Sequence, residues 1–340
     1  MLFRTRYRFI LFLMMVFSAA GCSKYVGKLG NPLLPSGADP WAIYKKPYYY
    51  YTQTYGDSIV IWRTKSMRNL PRAERKTVFV PPAGTAYSKQ IWAPEIHFLD
   101  NNWYIYFAAD DGKNENHRIY ALHNPSADPF NGSFQFKGKI ADSSDKWAID
   151  ASVFNYRDTL YMVWSGWEGD INGRQDIFIA RMSNPLQVQT QRVRVSTPFY
   201  DWERHGDLND PDNPPHVAVN EGPQILMGRD SLYLVYSASG CWTDHYCLGM
   251  LSLSRSANLL DSSAWIKKSN PVFETNISNG VYAPGHNSFF TSPNGKRDYI
   301  LYHANSHPNE GCGRRRSPRA QQFFWNKNGS PEFGAPVKTF

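Results

Sequence analysis

Five residues able to exchange protons head five similar stretches of this chain. Asp39, Glu95, Asp150, Glu221 and His286 each lead a short apolar run, a turn and a strand of alternating aromatic residues. In Ala148-Ile149-Asp150-Ala151 and Val219-Asn220-Glu221-Gly222 the acid sits among apolar neighbours, where burial is costly unless the group has a task. Two carboxyl groups in unlike surroundings can hold opposite protonation states at one pH. One then protonates a leaving oxygen while the other activates water or attacks the anomeric carbon, which is the chemistry of glycosidic-bond cleavage. Trp92 and Trp242 are candidate platforms for sugar rings in a chain with 21 Tyr, 20 Phe and 11 Trp. His-Glu-x-x-His, Gly-x-Ser-x-Gly, Gly-x-Gly-x-x-Gly and Walker-type patterns are absent from the sequence, which argues against a standard zinc protease, an α/β-hydrolase or a nucleotide enzyme.

The elements that must carry these residues repeat. After Glu95 comes the turn Asp100-Asn101-Asn102 and the strand Trp103-Tyr104-Ile105-Tyr106-Phe107; after Glu221 comes Gly228-Arg229-Asp230 and Leu232-Tyr233-Leu234-Val235-Tyr236. The five lead residues are 56, 55, 71 and 65 positions apart, enough for one four-stranded blade and its loops at roughly 40–50 residues per blade. Large apolar residues alternate with period two, as in half-buried strands. The pattern predicts an all-β fold, a five-bladed β-propeller, with the lead residues converging on a central channel. A β-sandwich would leave five matching units unexplained.

Composition bounds the rest. The 340 residues are 42% hydrophobic and 19% charged, unlike a disordered chain or a coiled coil. Arg4, Arg6 and Arg8 precede an apolar run from Phe9 to Ala20, and Ser18-Ala19-Ala20-Gly21 leads into Cys22. This is an export-signal pattern, and its end resembles a bacterial lipobox with Cys22 as the lipidated residue. The expected division is a signal peptide over 1–21, a tether over 22–37 and one catalytic domain over 38–340. The expected location is the outer membrane of a Gram-negative cell, facing the periplasm or the surface, with lipid as the only membrane attachment. The net charge of +8 falls to about +5 without the signal, and no basic run interleaves with aromatics, so a nucleic-acid partner is not expected. A monomer is. Of Cys241, Cys247 and Cys312, one disulfide can form in an oxidising compartment; the spacing allows a Cys241–Cys247 bridge across a hairpin.

Motifs in order along the chain resemble glycoside hydrolase family 43. They are Ala38-Asp39-Pro40, Trp92-Ala93-Pro94-Glu95, Ile149-Asp150-Ala151-Ser152, Asn220-Glu221-Gly222-Pro223, Ala283-Pro284-Gly285-His286-Asn287-Ser288 and Arg319-Ala320-Gln321. The resemblance implies five blades and inversion at the anomeric carbon. It implies Asp39 as general base, Glu221 as general acid, and Asp150 as the carboxylate that raises the acid's pKa and holds it in place. It further implies that Arg319 contacts substrate or the base; Glu95, with Trp92 and Trp242, is a candidate substrate contact. By the same resemblance His286 helps hold a hydrated ion, often calcium, that the chemistry does not require.

The run Ser237-Ala238-Ser239-Gly240-Cys241-Trp242-Thr243, with Tyr246-Cys247-Leu248-Gly249, resembles the exo-α-1,5-L-arabinofuranosidase branch. The expected substrate is therefore arabinan or arabino-oligosaccharide from a plant-type polysaccharide. β-Xylosidase and endo-arabinanase action, and a non-catalytic sugar-binding lipoprotein, are the other readings of the same residues. A related family of fructan-cleaving propellers, which retain configuration, is a further one.

Overall fold

The computed structural model describes residues 29–206 and 217–338. The expected signal peptide and lipidated Cys22 lie outside them. Twenty-one strands and a few short 3-10 helices form the described chain. The first sheet is β1 (Ala38–Lys45), β2 (Tyr48–Thr54), β3 (Ile59–Thr64) and β4 (Glu74–Phe79); the second is β5 (Lys89–Leu99), β6 (Asn102–Asp110), β7 (Arg118–Asn124) and β8 (Gln135–Ile140). The third group is β9 (Ala148–Tyr156), β10 (Thr159–Gly166) and β11 (Arg174–Asn184), edged by β12 (Gln187–Val188) and β13 (Val193–Ser196). The fourth is β14 (Ala218–Met227), β15 (Ser231–Ala238), β16 (Cys247–Ser254) and β17 (Ile266–Lys267). The last sheet is β18 (Tyr282–Thr291), β19 (Asp298–Asn305), β20 (Ser317–Trp325) and β21 (Pro331–Glu332). Each group is an antiparallel meander, and a short parallel pairing of Arg174 with Ala218 and Gln175 with Val219 joins the third to the fourth.

Packing follows the same order. The first strands touch in succession, β1 to β5, β5 to β9, β9 to β14, β14 to β18, and β18 back to β1. Between consecutive sheets lies an apolar cluster. Ile59 and Ile61 pack with Ile105 and Phe107, Tyr106 and Ala121 with Met162 and Phe178, Ile177 and Ile179 with Leu234 and Leu251, and Val235 and Met250 with Ile300 and Tyr302. A fifth cluster closes the order by joining Phe290 and Leu301 to Tyr51 and Trp62. Each large apolar side chain buried there contributes roughly 1.5–3 kcal/mol. The tether expected over 22–37 is packed in its described part: Leu33 and Leu34 are buried in the fifth cluster, Leu33 N–H donates to the Pro318 carbonyl, and Asn31 bonds the backbone of Ala320 in both directions. The folded unit therefore includes residues before 38.

One local feature recurs in all five meanders. The pairing of first and second strands shifts between Ala38 and Trp41, Trp92 and Glu95, Val163 and Ser165 opposite β9, Glu221 and Gln224, and Gly285 and Ser288. Inside each bulge one residue has positive φ: Asp39 (52°), Ala93 (44°), Asp150 (57°), Gly222 (55°) and His286 (49°). A bulge re-aims a side chain and commonly sits beside an active site. The structurally equivalent positions are thus 39, 93, 150, 222 and 286. Glu95 lies two residues beyond its equivalent position and Glu221 one before, because the repeat follows the backbone rather than the charge.

A β-branched side chain is strongly disfavoured at such a φ. Ala93→Val is expected to lower stability by about 1–3 kcal/mol, read as a lower urea midpoint, while Ala93→Gly keeps or raises it. Equal midpoints for the two variants would remove the bulge from this account.

Candidate active site

Asp39, Asp150, Glu221 and His286 meet at a cleft of about 480 Å³. Trp92 and Trp242 also line it, as do Trp147 and Arg316. Trp92 stacks on the buried His117 at 4.1 Å between centroids, and Trp147 stacks on Trp167 at 4.7 Å. Both indoles are therefore presented as fixed faces, the form in which an aromatic ring can receive a sugar at low entropic cost.

Asp39 is held ionised. Its Oδ2 accepts a hydrogen bond from Thr54 Oγ1 at 2.6 Å, and its Oδ1 lies 3.5 Å from Arg316 Nη1, 3.3 Å from His286 Nδ1 and 3.4 Å from His303 Nδ1. Burial raises its pKa, but His286, Arg316, His303 and the Thr54 bond outweigh burial and hold the carboxyl well below the usual range. Burial lowers the pKa of both imidazoles, so near neutral pH the permanent charge facing Asp39 is Arg316. The Asp39 N–H donates to His303 Nδ1 at 3.1 Å, which sets that ring as an acceptor on this side.

Glu221 is the opposite case. Burial pushes its pKa up to about 7; the Tyr246 hydrogen bond and Arg316 pull it down and Asp39 pushes it further up. The Tyr246 hydroxyl donates to Glu221 Oε1 at 2.7 Å. Asp150, buried beside it, accepts the Gly222 N–H on Oδ2 at 2.9 Å and is raised well above the carboxylate range, by burial first, then by Glu221 and Asp39. Two carboxyl groups in one desolvated space do not both ionise readily. Gly222 serves this arrangement: its φ is 55°, and a Cβ there would sit 3.3 Å from His286 Nδ1.

Behind Glu221 is a buried ion pair. Glu203, fully buried, accepts from Lys267 Nζ at 2.7 Å, Tyr236 Oη at 2.8 Å and Asn220 Nδ2 at 3.1 Å. Asn220 directly precedes Glu221, so this network fixes the strand that carries Glu221.

Two sequence candidates lie elsewhere. Glu95 is not on the cleft wall; it is buried one layer beneath, bonded to Gln224 Nε2 and His97 Nε2. Burial raises Glu95 well above its usual range and lowers His97 to about 3. Arg319 is fully buried and bonds Ser306 Oγ at 2.8 Å. Arg316 takes the place at the cleft that Arg319 was expected to hold. Three consecutive arginines give no local signal for which one turns inward; that depends on the loop.

The disulfide sets that loop. Cys241 joins Cys312, with Cα atoms 5.2 Å apart and a sequence separation of 71, rather than the nearby Cys247. Cys247 is a buried core residue of β16 whose thiol pKa is raised by burial. The bridge lies in the cleft wall, next to Trp242 and four residues before Arg316. Tyr246 was also not singled out in the sequence. Its one legible sign is Gly285 in the His286 motif: a Cβ there would come 2.1 Å from the Tyr246 ring.

The residues present do not fit a directly ligated metal. Among the described residues no three His, Cys, Asp or Glu side chains converge on a common point. His286 Nδ1 faces Asp39, whose same oxygen already faces the Arg316 cation. The calcium expected near His286 is not carried into the chemistry.

Replacing Cys241 and Cys312 by Ser is expected to lower stability by about 2–4 kcal/mol, as for a bridge closing a long loop, and to speed hydrogen exchange in residues 306–316. Unchanged exchange there would show that the bridge does not hold the Arg316 loop.

Known proteins place this chain. Residues 29–331 match Glycosyl hydrolases family 43. An extracellular exo-α-(1→5)-L-arabinofuranosidase of Streptomyces avermitilis is 37% identical over 317 residues; the match covers 90% of this chain and 63% of that protein. A protein of the same description from Streptomyces chartreusis is 34% identical over 279 residues, covering 81% of each. The crystal structure of an α-L-arabinofuranosidase from Lactobacillus brevis superposes with a TM-score of 0.84 at 34% identity, covering 92% of this chain and 98% of that one. The order of motifs, the shared fold and the match over most of its length make this chain a member of glycosyl hydrolases family 43.

Proposed function

We propose that this protein is an exported, inverting α-L-arabinofuranosidase built as a five-bladed β-propeller. The architecture rests on five bulged first strands that touch in cyclic order, with the fifth apolar cluster joining last sheet to first. The chemistry rests on one observation: across a single cleft Asp39 is held ionised while Glu221 is pushed up to about 7. Asp39 takes a proton from the water that attacks the anomeric carbon. Glu221 gives its proton to the departing oxygen. Asp150 orients the Glu221 turn through the Gly222 N–H and shares with Glu221 the cost of a second negative charge. Arg316 and Thr54 keep the base ionised, and stacked Trp92 and Trp147 bound the sugar. All the protons move between these side chains, water and substrate. The arabinosyl substrate, exo action and export are supported by the two Streptomyces proteins, whose descriptions name them.

The leaving group separates the two roles. Glu221→Gln is expected to lower kcat on arabino-oligosaccharides by about 10²–10⁴-fold, with a much smaller loss on an aryl arabinofuranoside whose leaving group needs no proton, and with binding retained. Asp39→Asn is expected to abolish turnover of both. Unchanged oligosaccharide turnover by Glu221→Gln would sink the acid assignment, and a first product of retained configuration by NMR would sink inversion.

The pH profile follows from the signs. An acid must be protonated to act, so kcat/KM falls as pH rises through about 7, where Glu221 loses its proton. A base must be ionised, so the acidic limb lies below the usual carboxylate range. The Tyr246 hydroxyl stabilises ionised Glu221, so Tyr246→Phe is expected to move the alkaline limb to higher pH. A shift to lower pH, or none, would contradict the hydrogen bond's role.

A further inference from the structure

The arginine run 314–316 is only partly used by the cleft. Arg316 faces Asp39, and Arg315 lies 3.5 Å from Glu310. Arg314 has no carboxylate partner among the described residues, and neither does Arg75 of β4 in the first sheet. Both line a second pocket of about 760 Å³. This pocket adjoins the cleft, since Thr54, Cys312 and Arg316 line both. The charge reverses across that shared wall. The cleft carries Asp39, Asp150 and Glu221 against one arginine; the pocket carries Arg75, Arg314 and Arg316 against Asp57 alone. It also has ring surface: Tyr55 is 40% exposed, and the Arg75 guanidinium sits 4.9 Å from the centre of the buried Trp62 ring.

We propose that this pocket is a second carbohydrate-binding site that takes a sugar bearing a carboxylate, a uronic-acid residue. The carbohydrate class rests on the reading of the neighbouring cleft as a glycosidase site. The carboxylate rests on the guanidinium groups of Arg75 and Arg314, which are planar donors suited to carboxylates and have no carboxylate partner among the described residues. Hydroxyl recognition of a neutral sugar needs no such excess of cations. Tyr55 supplies a face for the ring, and the volume suits an oligosaccharide. Substrate arriving on an acidic glycan would be held by the pocket while its arabinosyl end enters the cleft across the Cys312–Arg316 wall.

The test is calorimetric titration of the whole protein with a uronic-acid trisaccharide and with its carboxyl-reduced, neutral counterpart. The acidic form is expected to bind at least tenfold tighter, and more weakly as salt is raised. The double variant Arg75→Ala/Arg314→Ala is expected to lose at least tenfold in that affinity. Its hydrolysis of an aryl arabinofuranoside should stay unchanged, since neither residue lines the cleft. Tyr55→Ala is expected to weaken binding while leaving its salt dependence in place. Equal binding of acidic and reduced sugars, or an unaffected double variant, would overturn the proposal. So would a DNA oligonucleotide bound as tightly as the uronide, which would make the pocket a general polyanion patch. Binding is read without turnover, so failure to cleave the arabinofuranoside would count against the glycosidase reading and leave the uronide affinity standing.

Discussion

The site depends on a backbone constraint repeated five times. Where each first strand begins, a bulge holds one residue at positive φ, between 44° and 57°. For a residue with a Cβ this conformation costs on the order of 1–3 kcal/mol, and it persists because the flanking strand pairs and apolar clusters over-determine it. It turns Asp39, Asp150 and His286 toward one cleft although they come from three different sheets. In the fourth sheet the bulge residue is Gly222, whose backbone N–H, rather than a side chain, reaches Asp150. Glu221 beside it then reaches the cleft. The same geometry that makes the repeat thus breaks its symmetry at Glu221.

That asymmetry is electrostatic in its result. Both acids are buried, so desolvation alone would raise both pKa values. Asp39 escapes because Arg316, Thr54 and two imidazoles surround it, and Glu221 does not because its hydrogen-bonding partner is a neutral tyrosine. Glu95 shows the third outcome: buried with Gln224 and His97 and no cation, it is raised well above the usual range and serves the packing of the layer below. Three acids that look alike in sequence differ because of what faces them across sheet boundaries.

Much of this architecture is legible along the chain. The alternation in Trp103–Phe107 and Leu232–Tyr236 marks second strands because a strand's two faces have period two. The spacing of the lead residues shows five units because each unit must bury its own share of core. Asp39, Asp150, Glu221 and His286 stand out as acid–base groups among apolar neighbours. The register of the repeat is legible only in hindsight, through Asp39-Pro40, Ala93-Pro94 and Gly222-Pro223. A proline restricts the residue before it. In the third and fifth sheets the bulge residues Asp150 and His286 are followed by Ala151 and Asn287, so neither proline nor charge marks the bulge in every sheet.

The sequence by itself determined the all-β class and marked Asp39, Asp150, Glu221 and His286, because these follow from local periodicity and composition. Tertiary structure alone decided that Cys241 meets Cys312 and not Cys247, that Arg316 and not Arg319 faces Asp39, that Tyr246 touches Glu221 and that Glu95 lies beneath the cleft. Each of these is a contact between residues distant in sequence. Closure of loops around a common centre sets such contacts, and no short stretch of chain encodes where its neighbours across that centre will stand.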